Sequence, residues 1–106
     1  MPKYLLQGSY TAEGAKGLLK DGGSKRRAAA KTLVESVGGK VECLYFTFGK
    51  TDVIAIVDMP DSASAAATSL AIGAGGGLKS TLTVLLTPEE IDQAAKKSAT
   101  YTPPGR

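Results

Sequence analysis

The chain has 106 residues, the length of one domain with a single hydrophobic core. Thirteen basic and ten acidic residues leave a net charge of +3, a bias too small to indicate nucleic-acid binding. Histidine is absent, which excludes histidine-activated serine or cysteine nucleophiles and every histidine-ligated metal or haem site.

The first half of the chain predicts one strand followed by two helices. The strand is Lys3–Tyr10, and a short helix begins at residues 11–14 and breaks at Gly22-Gly23, because glycine costs about 1 kcal/mol against alanine inside a helix. A longer helix follows, with Ser24 as its predicted cap, and ends at Gly38-Gly39. One apolar face is predicted for it, formed by Ala30, Leu33, Val34 and Val37. The basic run Lys25-Arg26-Arg27, with Lys31, is interpreted as a solvated helix face.

A second strand, Lys40–Phe48, contains the single cysteine, Cys43, which we interpret as a small core residue. A turn at residues 49–52 leads to the third strand, Val53–Val57. One cysteine cannot form an intramolecular disulfide, the N-terminus lacks a signal-peptide pattern, and no apolar run could span a membrane. We therefore expect a cytoplasmic protein.

The third predicted helix follows Pro60 and is capped by Asp61. It ends at Gly73, and its small inner face would pack close to a sheet through Ala63, Ala66, Ala67 and Leu70. The glycine loop at residues 73–77 fails as a phosphate loop, because Leu78 precedes Lys79-Ser80 and the loop leads from a helix into a strand.

The fourth predicted strand, Leu78–Leu86, is followed by a helix with a clear start signal. Thr87 is the cap, Pro88 occupies the first helical position, and Glu90 completes a capping box. Residues 1–98 are predicted to form the domain, and residues 99–106 a disordered tail.

This order of elements predicts an α+β fold of the ferredoxin-like βαββαβ type with an extra C-terminal helix. Its four-stranded antiparallel sheet has the order 4-1-3-2 and carries both long helices on one face. The other face would bear Ile54 and Ile56 from the third strand. In the second strand, one side carries Leu44, Phe46 and Phe48, and the other carries Val41, Cys43 and Tyr45, so neither side alternates with polar residues. A bare apolar face of this size predicts a homo-oligomer, a dimer or larger, although the C-terminal helix could cover part of it.

One edge of this sheet gathers polar side chains, where the first two strands end and the last two begin. Ser9, Tyr10, Asp52 and Lys79 are the ligand-binding candidates, and Lys79, Tyr10 and Asp52 would converge on a small molecule at the mouth of an apolar pocket. The alternative is a solvent-exposed Asp–Lys pair worth at most about 1 kcal/mol. No metal or cofactor is expected, and no catalytic residue is assigned.

Residues 48–61, Phe-Gly-Lys-Thr-Asp-Val-Ile-Ala-Ile-Val-Asp-Met-Pro-Asp, and residues 76–82, Gly-Gly-Leu-Lys-Ser-Thr-Leu, carry a family resemblance. With the opening Tyr4-Leu5-Leu6, they resemble the GYD-domain family of small bacterial proteins over about residues 3–95. The resemblance implies a dimeric α/β-barrel-like fold. The sequence departs from the family pattern at Thr51, where tyrosine is usual, and at Lys79, where arginine is usual. Thr51 has no aromatic ring and Lys79 no planar guanidinium, so a ligand contact through either group is not expected here.

Three functions stay open from the sequence. The first is a small oligomeric ligand-binding or regulatory domain without an evident catalytic set. The second is a metal-free oxygenase or isomerase of the dimeric α/β-barrel kind, acting on an apolar molecule through Tyr10, Asp52 and Lys79. The third is a self-assembling structural protein. A closed apolar cavity above the sheet with Asp52 and Lys79 at its rim would favour the enzyme, and a filled core with those two side chains in solvent would favour the binding module.

Overall fold

The computed structural model describes residues 1–106, in which strands and helices follow one another along the chain. The strands are β1 (Lys3–Tyr10), β2 (Lys40–Phe46), β3 (Val53–Asp58) and β4 (Leu78–Leu85). The helices are α1 (Ala12–Asp21), α2 (Gly23–Ser36), α3 (Ser62–Gly75) and α4 (Pro88–Lys96). The strands form one antiparallel sheet in the order β2-β3-β1-β4, which confirms the predicted ferredoxin-like topology.

Glycine conformation decides where α2 begins and ends. Gly22 has a φ of 82° and separates α1 from α2, which therefore begins at Gly23 without a side-chain cap. The predicted cap at Ser24 is wrong for this reason. At the other end Gly38 has a φ of 84°, and the N–H of Gly39 donates to the carbonyl of Val34 at 3.0 Å, the left-handed ending that the sequence predicted.

A bulge at Glu42 changes which face of the sheet each residue of β2 occupies. Val41 is paired with Val57, and Cys43 is paired with the next residue of β3, Ile56. Glu42 is therefore an extra residue in β2 without a partner in β3. Val41 therefore lies on the helix side, and the prediction that it shares a side with Cys43 and Tyr45 is wrong. Cys43 is half-buried on the open face with Ile56, so its interpretation as a core residue is wrong as well. The strand also ends two residues before the predicted Phe48, which has a φ of 48° in the following loop.

The inner face of α3 differs from the predicted one. Ala65 and Thr68 are buried, Ile72 is partly buried, and Leu70 is 74% exposed. Ala63, Ala66 and Ala67 are exposed as well. Six of the fourteen residues of this helix are alanine and are spread around it, so its apolar pattern has no single preferred side. The Asp61 cap is confirmed by a 2.7 Å hydrogen bond from the Ser64 N–H, and α3 runs to Gly75 rather than Gly73.

The hydrophobic core occupies the end of the sheet where β1 begins and β3 ends. The N–H of Met59 donates to the carbonyl of Pro2 at 3.0 Å and closes this end. Seven buried residues form the core: Tyr4, Leu6, Val34, Ala55, Val57, Met59 and Ala65.

The capping box of α4 is confirmed, but the helix projects from the body. Thr87 and Glu90 exchange hydrogen bonds of 3.0 and 3.1 Å. Every residue of α4 is exposed, so it does not cover the open face of the sheet. Residues 97–106 contain no helix or strand, and none of the four helices is long and apolar enough to cross a membrane.

Candidate functional site

An apolar cleft of about 420 Å³ lies between the sheet and the first three helices. Its floor is made of sheet residues, including Leu44, Phe46 and Val53, and of Val41, which the β2 bulge turns inward. Its roof is open because each helix presents small residues: Gly14, Gly17, Ala29, Ala30, Ala71 and Gly75. The volume therefore comes from missing side chains on the helices.

Three side chains bring polar groups to this cleft: Tyr10, Arg26 and Thr68. The Thr68 hydroxyl is completely buried and donates to the Ser64 carbonyl at 3.1 Å within its own helix. Arg26 is therefore the only charged residue that lines the cleft, and the Tyr10 phenol is the other polar group.

Tyr10 and Arg26 influence each other electrostatically. Burial raises the pKa of the Tyr10 phenol above its usual 10.0, and the positive charge of Arg26 offsets part of that rise. The phenol is therefore protonated at neutral pH and can donate a hydrogen bond. Arg26 has one acidic neighbour, Asp21, whose carboxylate oxygen is 3.9 Å from a guanidinium nitrogen.

The four ligand-binding candidates from the sequence fall into two pairs. Asp52 accepts a hydrogen bond of 2.8 Å from the Tyr10 backbone N–H and so fixes the end of β1. Ser9 of β1 is paired with Lys79 of β4. The adjacent pair, Tyr10 with Leu78, lines the cleft. Alternation along a strand turns Ser9 and Lys79 to the opposite face of the sheet. Lys79 thus does not join Tyr10 and Asp52, and ligand binding by these residues stays a prediction.

Sequence interpretation missed Arg26, although helical spacing contains a signal for it. Arg26 lies four positions before Ala30, so it continues the apolar stripe of Ala30, Leu33 and Val34 by one turn. Arg27 is exposed beside it and does not line the cleft. A basic residue that continues an apolar stripe by one turn is therefore the sequence signal that places a charged group at one end of the cleft.

The mouth of the cleft is held by contacts between α1 and the loop before β4. The Thr11 N–H donates to the Gly77 carbonyl at 3.0 Å, and the Thr11 hydroxyl donates to the Gly76 carbonyl at 2.9 Å. The backbones also approach closely at Gly14, where an added Cβ would lie 1.8 Å from the Gly77 oxygen. Glycine at position 14 is therefore a requirement of this contact.

Nowhere in residues 1–106 do three Cys, Asp or Glu side chains gather as a group that could hold a metal ion. A family model described as the GYD domain matches residues 4–95, a span that includes every sheet residue except Lys3 and every residue that lines the cleft. No curated protein and no solved structure matches the chain significantly.

Proposed function

This chain belongs to the GYD domain family, and we propose that it is a small-molecule-binding protein that holds an apolar ligand in the cleft between its sheet and helices. The observation that carries this proposal is the cleft itself, with about 420 Å³ of space and mainly hydrophobic walls. Ligand pockets in proteins commonly have volumes of roughly 300–1,000 Å³, apolar walls and a few polar groups.

The cleft is too large to be a packing defect. Protein interiors are close-packed, and voids much larger than a water molecule are rare. Here the gap between the helices leaves apolar surface of the cleft in contact with water. The protein therefore forgoes the free energy that burial of this surface would provide. An apolar ligand that fills the space would remove this surface from water, at roughly 25 cal/mol per Å² before the costs of association.

We also propose that the protein assembles with copies of itself through the open sheet face. That face carries a group of apolar, solvent-accessible side chains that point away from the helices: Leu5, Cys43, Tyr45, Ile54 and Ile56. The isolated α4 supports the same proposal, because a helix of nine residues is marginal in water unless it packs against another surface. A second copy would supply that surface.

The alternative of a metal-free enzyme has less support. Asp52 is engaged by the Tyr10 N–H, and Lys79 belongs to the opposite face of the sheet. Arginine does not exchange its proton at ordinary pH, so Tyr10 would be the only acid–base group in the cleft. This set favours binding over proton transfer.

The proposal is tested by titrating the protein with the neutral fluorophore N-phenyl-1-naphthylamine. Gly17 lines the cleft, and a Cβ placed there meets nothing within 4 Å, so the side chain of Gly17→Leu has room to extend into the cleft and occupy part of it. Lys16→Leu is the matched control, because it adds the same side chain at the exposed neighbouring position.

We expect the original protein and Lys16→Leu to bind the fluorophore alike, and Gly17→Leu to bind it about tenfold more weakly or worse. Failure of the original protein to bind, or equal binding by both variants, would overturn the proposal. Equal binding would locate the fluorophore on another surface, such as the open sheet face.

A further inference from the structure

We infer that the ligand of the cleft is an apolar monocarboxylic acid whose carboxylate binds Arg26 and Tyr10 at the mouth. This inference rests on the proposed function and names the chemical class of its ligand. It follows from the residues that line the cleft: the walls are mainly hydrophobic, and the available polar groups are one guanidinium and one phenol.

The guanidinium of Arg26 is suited to this role by its geometry and its exposure. It presents five N–H donors in a planar fork, which matches the two oxygens of a carboxylate. Its side chain is 44% exposed, so a ligand can reach it while the rest of the side chain stays against the protein. A cationic ligand would be repelled at this position, and a neutral ligand could accept from the guanidinium but would lack the attraction between opposite charges and the two-oxygen match.

Tyr10 adds a second donor on the same side. Its phenol lines the cleft, and burial together with the charge of Asp52 keeps its pKa above the usual value, although Arg26 partly opposes this. The neutral phenol therefore offers its O–H to a ligand oxygen throughout the physiological range of pH. Its ring also extends the apolar floor, so one residue contacts both parts of an amphipathic ligand.

The acidic groups nearby leave room for one added negative charge. Asp52 already accepts the Tyr10 backbone N–H at 2.8 Å. Asp21 is 3.9 Å from Arg26, beyond hydrogen-bond distance, and both side chains are partly exposed, so this ion pair is weak and leaves the guanidinium donors available. A carboxylate brings a single charge to this lone arginine, whereas a phosphate brings roughly 1.5 to 2. The charge balance favours the carboxylate.

Arg26 also sets the direction of the apolar part of the ligand. Ala30, Leu33 and Val34 follow Arg26 on the same stripe of α2 and line the cleft. A carboxylate held by Arg26 therefore places its attached hydrocarbon along this stripe, over Leu44 and Ala55 of the sheet.

The test is competition for bound N-phenyl-1-naphthylamine by decanoate, decanol and decyl phosphate, each below its micellar concentration. Arg26→Gln is compared with Arg27→Gln, which removes the same charge from the next position outside the cleft. We expect decanoate to compete about tenfold better than decanol on the original protein and on Arg27→Gln, and no better than decanol on Arg26→Gln.

Two further variants test the neighbours of the arginine. Tyr10→Phe is expected to weaken decanoate several-fold and leave decanol unchanged, since only the hydroxyl is lost. Asp21→Asn is expected to strengthen decanoate and leave decanol unchanged, because it removes the competing carboxylate.

The outcomes separate the two proposals. If the fluorophore binds in the cleft but decanoate and decanol compete equally, or if both arginine variants behave alike, the carboxylate inference is overturned and the binding function stands. Stronger competition by decyl phosphate than by decanoate would also overturn it, in favour of a phosphate ligand. Absence of fluorophore binding from the cleft would overturn the binding function itself.

Discussion

Gly14 and Gly17 lie three residues apart on α1 and have opposite surroundings. A Cβ at position 14 would collide with the Gly77 carbonyl at 1.8 Å, and backbone cannot move aside cheaply. A Cβ at position 17 would meet nothing within 4 Å. The same residue type therefore serves a close contact at one position and leaves empty volume at the other.

This contrast predicts opposite effects of one substitution. Gly14→Ala is expected to destabilise the protein by about 1–3 kcal/mol through overpacking, because α1 must shift away from the loop before β4. Gly17→Ala is expected to stabilise it by about 0.5–1 kcal/mol, because alanine is the better helix former. Urea unfolding measures both. A Gly14→Ala variant as stable as the original protein would contradict the close contact with Gly77, and a destabilised Gly17→Ala would contradict the open space at position 17.

At the residue scale, the sequence located one half of the candidate site. The sequence predicts Tyr10 at the pocket mouth because the strand order brings the end of β1 to the start of β3, and it predicts Asp52 nearby for the same reason. Arg26 was assigned to solvent because it stands within a basic run, and the position of a charge relative to a cleft depends on tertiary packing. Lys79 was misplaced because only strand register determines the face on which it lies.

At the scale of elements, local chemistry predicts the caps of α3 and α4, whereas the predicted cap of α2 at Ser24 is wrong. Thr11, Asp61 and Thr87 all accept hydrogen bonds from backbone N–H groups three residues later, an interaction set within a single turn. The bulge at Glu42 and the orientation of α3 were not predicted. Both depend on how an element meets the rest of the sheet, and the alanines of α3 give no stripe from which its orientation could be deduced.

The caps of α1 and α4 are predicted to differ in how far their effects extend. Thr87→Ala is expected to lower the local stability of α4 by about 1 kcal/mol, and to leave the sheet unchanged because α4 buries none of its residues. Thr11→Ala also removes the hydroxyl bond to Gly76, so its effect should extend to the loop before β4. Amide hydrogen exchange in dilute protein measures both. Reduced protection of β1 and β3 in Thr87→Ala would contradict the independence of α4.

At the scale of the whole molecule, the chain is longer than a compact domain of its size. Its radius of gyration is 16.8 Å and its extents are 56 × 33 × 22 Å, whereas a compact domain of 100 residues has a radius of gyration of about 13 Å. The projecting α4 and the residues after it account for the difference. Such a shape leaves both α4 and the open sheet face accessible to a second copy.

Assembly through the sheet predicts a specific sensitivity to charge. Ile54→Glu places a carboxylate at the centre of the open face and is expected to convert an oligomer into a single chain, since burying an unpaired charge is costly. Ala66→Glu, on the exposed side of α3, is the matched control and should leave assembly unchanged. Native mass spectrometry reads the number of copies directly. An original protein that is a single chain at micromolar concentration would contradict the proposed assembly.

The walls of the cleft have a consequence for how this chain could diverge in evolution. Gly17, Ala30 and Ala71 determine its volume, whereas Tyr4 and Met59, deep in the core, take no part in it. Single substitutions that enlarge or shorten a side chain on the helices would therefore adapt the cleft to smaller or larger ligands, while these deep core residues stay unchanged.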